Sequence, residues 1–199
     1  MGKRPPEGAA GKERVTTVDE MELEQAGQAQ GVCAKAEADI RNAYDEYNKT
    51  ITELLEGSGR SSITIMLFKN RTLQDAKVND AFIAQVRGHV DEIIGALEAG
   101  AEPEELAQAE AVVRFMMLEA CRDYEYAAEG GAFAKGAWTQ SSTYWMFCAM
   151  QTLCTPLLRY LSRDALAEIA GEYEQRVPRK RELPNQKKLK KEMRALLKG

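Results

Sequence analysis

The sequence predicts an all-α protein: an antiparallel helical bundle of five to six helices, with a disordered N-terminal arm and a basic C-terminal amphipathic helix. Three observations lead there. Apolar residues recur at spacings of three and four along most of the chain. Gly and Pro interrupt that pattern at intervals suited to helix ends. Only residues 61–68 have a β-like composition, and a lone strand would leave its backbone groups unpaired. That stretch is therefore expected to be a short buried helix or an ordered loop.

Residues 1–17 are rich in Gly, Pro, Lys and Glu, with Val15 as the one large aliphatic side chain after Met1. They bury too little to offset the entropy of ordering, so a disordered arm is expected. Residues 18–177 form the expected bundle and residues 178–199 a basic tail. A long first helix is predicted from Thr17 or Asp19 to Glu56, with Cys33, Ile40, Tyr44, Tyr47, Ile51 and Leu54 on a heptad-like, coiled-coil seam. Gly27 and Gly31 weaken its early part.

A second long helix is predicted over residues 72–99, capped by Thr72 with Asp75 and carrying the stripe Val78, Phe82, Val86, Val90, Ile93 and Leu97. The next begins at Pro103, with Glu104 and Glu105 beside its positive end. Its stripe of Leu106, Ala109, Val113, Met116, Ala120, Tyr124 and Ala127 extends to Gly130. Residues 139–161 are apolar almost all round and predict a central buried helix, kinked at Pro156. Ser162 or Asp164 caps a shorter helix with Leu166, Ile169, Ala170, Tyr173 and Val177 on one face, closed by Pro178.

Composition narrows the function. With 44% hydrophobic and 29% charged residues, the 199-residue chain can build a core. The apolar run Tyr144–Met150 is too short to span a bilayer, Gln151, Pro156 and Arg159 interrupt its continuation, and no apolar run follows the N-terminal Lys3 and Arg4. Neither a membrane-spanning helix nor a secretory signal is expected. Cys33, Cys121, Cys148 and Cys154 are widely spaced, so buried, reduced thiols in the cytoplasm or another reducing compartment are expected.

Charge is distributed unevenly. Residues 178–199 hold nine cations (Arg179, Lys180, Arg181, Lys187, Lys188, Lys190, Lys191, Arg194 and Lys198) against Glu182 and Glu192, giving +7. The chain as a whole is −4, so residues 1–177 are −11. Beyond Pro184, Leu189, Met193, Leu196 and Leu197 fall on one helical face with the cations around the rest. Such a helix suits nucleic-acid phosphates or an acidic protein surface. Lacking Trp, Phe and Tyr, it is ill suited to membrane insertion or base stacking.

Other chemistry is thin. His89 is the single histidine and lies at the edge of an apolar stripe, so a structural role is expected and no metal or cofactor site is read. Glu119 and Asp123 share a helical face, with Arg122 able to neutralise them. Residues 139–143 offer hydroxyls at a helix N-terminus, where capping is the simpler role. The function expected is a non-enzymatic helical subunit of a nucleoprotein or other large assembly, its tail on nucleic-acid phosphates. The alternative is a protein–protein scaffold or a viral or organellar structural subunit whose tail docks on an acidic partner.

Overall fold

The computed structural model describes residues 31–121, 137–177 and 182–199. Among them only helices occur, so the fold is all-α. Seven α-helices follow in order: α1 (Val32–Leu55), α2 (Ser62–Asp75), α3 (Val78–Glu98), α4 (Pro103–Met117), α5 (Ala137–Leu153), α6 (Arg163–Arg176) and α7 (Pro184–Leu196). Short 3-10 turns at Glu119–Cys121 and Thr155–Tyr160 follow α4 and α5. The expected disordered arm at residues 1–17 lies outside the described residues.

The core begins with α1 against α3 and α4. Cys33, Ala36, Ile40, Ala43, Tyr44, Tyr47, Ile51 and Leu55 make its buried seam. They meet Phe82, Val86, Val90, Ile93 and Leu97 of α3. Tyr47 meets Phe82 at 4.9 Å with the rings tilted by 44°, and Tyr44 meets Phe115 edge-on at 5.8 Å. Each such aromatic pair contributes roughly 0.5–1.5 kcal/mol beyond its buried area. The phenol of Tyr44 donates to the Ala120 carbonyl at 2.7 Å, and that of Tyr47 to Asn79 at 3.0 Å. Tyr44 also meets Phe82 at 6.4 Å, so the step from Tyr44–Phe82 to Tyr47–Asn79 runs back along α3 and makes it antiparallel to α1, while Cys33–Glu105 and Tyr44–Phe115 make α4 parallel to α1.

The expected first helix is shorter than its sequence pattern. Gly31 has extended backbone, so α1 starts at Val32; residues 17–30 lie outside the described residues. Gly31, at the N-cap position of α1, has no side chain to cap it. Glu105 of α4 does so instead, accepting from the Cys33 N–H at 3.0 Å. A β-carbon at Gly31 would sit 2.2 Å from a Glu105 oxygen, so the glycine makes room for this cap. The Cys33 thiol, with burial leading and Glu105 adding to it, is pushed up to about 12.

Residues 62–68 are helical but mostly exposed. Ser61 caps α2 by accepting from the Thr64 N–H, and only Ile65 and Leu73 are buried. Ile63, Met66, Leu67 and Phe68 stay exposed, Leu67 to 66%. The expected helix over residues 72–99 is two helices. Thr72 and Asp75 end α2, and Lys77 takes a left-handed φ of 51° before α3 begins. A β-carbon disfavours that conformation, and no Gly or Pro marks the break in the sequence.

Further along, α4 starts at Pro103 as expected but ends at Met117, and Leu106 is exposed rather than on the buried stripe. The predicted extension toward Gly130 enters residues outside the description. Pro156 has no N–H to give the Thr152 carbonyl, and α5 stops at Leu153, followed by a 3-10 turn in place of a kinked continuation. Leu157 and Leu158 in that turn are fully buried. Trp145 on α5 is exposed, so this helix has one open side. Ser162 caps α6, its hydroxyl accepting from the Ala165 N–H at 3.1 Å.

Burial ranks the helices for mutagenesis. Ile93→Ala, at a fully buried site, lowers unfolding free energy by about 2–5 kcal/mol. Leu67→Ala, on the open face of α2, changes it by no more than about 0.5 kcal/mol. Urea titrations followed by circular dichroism measure both.

Candidate nucleic-acid interface

The basic C-terminal segment folds back onto the bundle. Leu183 precedes α7 and its N–H donates to the Gln186 side-chain carbonyl at 2.9 Å, fixing the first turn. Pro184 occupies the first helical position, where its missing N–H costs nothing. Gln186, Leu189, Lys190 and Met193 are the buried residues of α7. They pack on α5, α6 and the 3-10 turn at Thr155–Tyr160.

Two of those four are polar, and each finds partners. The Gln186 amide donates at 3.3 Å to both Tyr144 and the Gln151 side-chain carbonyl. Gln151 is itself fully buried on α5. Its carbonyl also accepts from the Tyr173 phenol at 2.9 Å, and its amide donates to the Met117 carbonyl at 3.3 Å. Asn185 donates to the Cys148 carbonyl at 2.9 Å.

Lys190 is the exception among the sequence-predicted contacts. Its side chain is 3% exposed, and its ammonium lies 3.1 Å from Glu182, 3.5 Å from Glu174 and against the Val177 carbonyl. Those three acceptors match its three donors, so it has nothing left to present to a partner. Arg194 pairs with Glu174 on the rim. Arg194 first, then Lys190, holds the Glu174 carboxyl below the usual glutamate range. A cleft of about 330 Å³ is lined by Glu182, Lys187, Lys190 and Arg194. Carboxylates balance most of its positive charge.

The remaining cations point outward. Lys187, Lys191, Arg194 and, just past the end of α7, Lys198 are exposed and lie within a narrow arc of the helical wheel to one side of the docked face. At 1.5 Å per residue the ridge is about 16 Å long. Lys188 is exposed beside it and approaches Glu192 at 3.8 Å. Leu196, assigned to the apolar face from spacing, is exposed. Arg179, Lys180 and Arg181 lie outside the described residues.

The other candidates resolve into structure. His89 meets Glu92 at 3.1 Å on α3. Glu119 pairs with Arg41 at 3.3 Å, and Arg41 also bonds Glu37 and stacks 4.2 Å over Phe115. Arg122 and Asp123 lie outside the described residues. Residues 139–143 fall within α5, which begins at Ala137, rather than before its first turn; Ser142 and Thr143 are buried. Among the described residues no three or more His, Cys, Asp or Glu gather as a metal set. No described helix is long and apolar enough to cross a membrane. Cys148 and Cys154 are buried, and burial pushes the Cys154 thiol up to about 12; Cys121 has no described side chain.

The network sequence reasoning missed is Gln151–Gln186–Tyr173. Two glutamines on otherwise apolar faces were its only signal. Gln151→Leu removes the acceptor that the Tyr173 hydroxyl and the Gln186 amide share, and the donor to the Met117 carbonyl. It lowers unfolding free energy by about 1–3 kcal/mol in a urea titration. Glu174 has a depressed folded pKa, so its contribution is complete above the ordinary glutamate range. It is lost as pH falls through and below about 4.3. Glu174→Gln therefore flattens the acid limb of stability against pH, read by thermal melts between pH 3 and pH 7. No protein family matches the chain, and no curated protein or solved structure matches it.

Proposed function

We propose that the chain is a non-enzymatic helical subunit of a nucleoprotein or other large assembly, and that it contacts nucleic-acid phosphates through α7. The observation behind this reading is the ridge of Lys187, Lys191, Arg194 and Lys198. The apolar side of the same helix is occupied by the bundle, so the cations are what a partner meets. Lysines one helical turn apart can follow successive phosphates along one strand. An otherwise acidic chain repels a polyanion everywhere else, which orients the approach. Arg179, Lys180 and Arg181 would add to the same charge.

The reading requires no base recognition. Aliphatic cations reach phosphate oxygens but offer no stacking surface, so binding is tolerant of sequence. With Arg194 engaged by Glu174, phosphate contacts from Lys187, Lys191 and Lys198 give a slope of log K against log salt of about −3 on duplex DNA.

Charge reversal tests it better than truncation, because removing residues 178–199 also strips the packed face of α7. Lys187→Glu, Lys191→Glu and Lys198→Glu combined leave the melting temperature within a few degrees and weaken binding of a fluorescent 20-mer duplex at least tenfold. Fluorescence anisotropy at 50–200 mM salt measures this. Equal affinity for the triple variant and the parent chain overturns the reading; a protein partner retained only by the parent chain favours docking on an acidic surface instead.

A further inference from the structure

The contacts of α7 divide cleanly between those that hold it together and those that hold it down. Within α7, the Leu183 N–H and Gln186 carbonyl close the first turn, and Lys188 approaches Glu192 four residues on. Neither depends on the bundle. Within the bundle, Gln151 keeps the Tyr173 phenol and the Met117 carbonyl whether or not Gln186 is present. Lifting α7 away therefore orphans neither Gln151 polar group.

Among the described residues the polar contacts crossing the seam include the Gln186 amide on Tyr144, Gln151 and the Cys148 sulfur, Asn185 on Cys148 and Thr152, Arg163 on the Leu197 carbonyl, and the charge cluster. Leu189 and Met193 are the apolar side chains of α7 in the buried set, with Leu183 and Leu197 partly buried at its two ends. Water can replace polar partners at little net cost, whereas it cannot replace apolar packing. By contrast α3 buries five large apolar side chains, all inside the core. The Lys190 cluster adds little net stability, because desolvating its ions offsets their attraction. It does fix where α7 sits, since Glu174 receives both Lys190 and Arg194.

We infer that α7 is a detachable strap: it leaves the bundle as a unit while helices α1 to α6 stay folded, and Glu174 is the catch that sets how often it does so. The docked strap shows a partner only its cationic ridge. The released strap also shows Leu189 and Met193, together with Lys190 and an unpaired Arg194. Docking thus decides which face of α7 is available, whatever the ridge binds.

Native-state hydrogen exchange on the full chain, read by mass spectrometry after proteolysis, tests this. In the parent chain, peptides from α7 exchange at least about tenfold faster than peptides from α3 and α4. Glu174→Gln speeds exchange of α7 by about three- to tenfold more and leaves α3 unchanged. Leu189→Ala does the same through lost packing, which checks the inference without altering charge. Exchange of α7 and α3 at one common rate, or equal acceleration of every helix by Glu174→Gln, overturns it.

Discussion

One buried amide joins the last part of the chain to the rest. Gln151 has no exposure to water, and its side chain reaches the end of α4, the face of α6 and the first turn of α7 at once. An amide in an apolar interior must have its hydrogen bonds met, or its desolvation is uncompensated. That requirement fixes the register of α4 and α6 against α5, and Gln186 of α7 shares the same carbonyl. A leucine at the same place would pack but would not distinguish one register from the next. The polar group thus supplies orientation, while the apolar residues around it, Phe147, Met150, Leu157, Leu158 and Ile169, supply the driving force.

The same logic governs the two helix ends that matter most. The N-terminus of α1 is capped from α4, by Glu105, seventy-two residues away. A carboxylate there satisfies backbone donors and faces the positive end of the helix dipole. Because α1 and α4 run in the same direction, their N-termini lie together and the cap can form. At the other end of the chain α7 carries its own first-turn bond and takes its remaining partners from α5 and α6. The core helices are thus tied by obligatory contacts, and the terminal helix by replaceable ones.

The acidic body and basic tail acquire a finer meaning from this arrangement. Part of the positive charge is neutralised within the molecule: Lys190 by Glu174 and Glu182, and Arg194 by Glu174. The described cations that remain exposed fall on one side of α7. On the proposed reading that side is the functional surface, and its extent of about 16 Å sets how many phosphates it can reach. The apolar stripe at the start of α2, with Ile63, Met66, Leu67 and Phe68 exposed, is a separate departure from the expected core.

Sequence alone determined the all-α class, the buried stripe of α3, the Pro103 start of α4, a cap at Ser162 or Asp164 and the helical character of the basic tail. Each rests on a local rule: a periodicity, a missing N–H or a hydroxyl before a helix. Tertiary structure decided the rest. It placed the break at Lys77, where no glycine signals a left-handed residue, and exposed the apolar start of α2, whose composition promised burial. It withdrew Lys190 from the nine candidate cations, because a lysine at a spacing that faces solvent in an isolated helix faces Glu174 and Glu182 once the helix docks. Local spacing gives a residue its side of a helix. Which side is inside depends on what that helix lies against, and that partner is far away in the sequence.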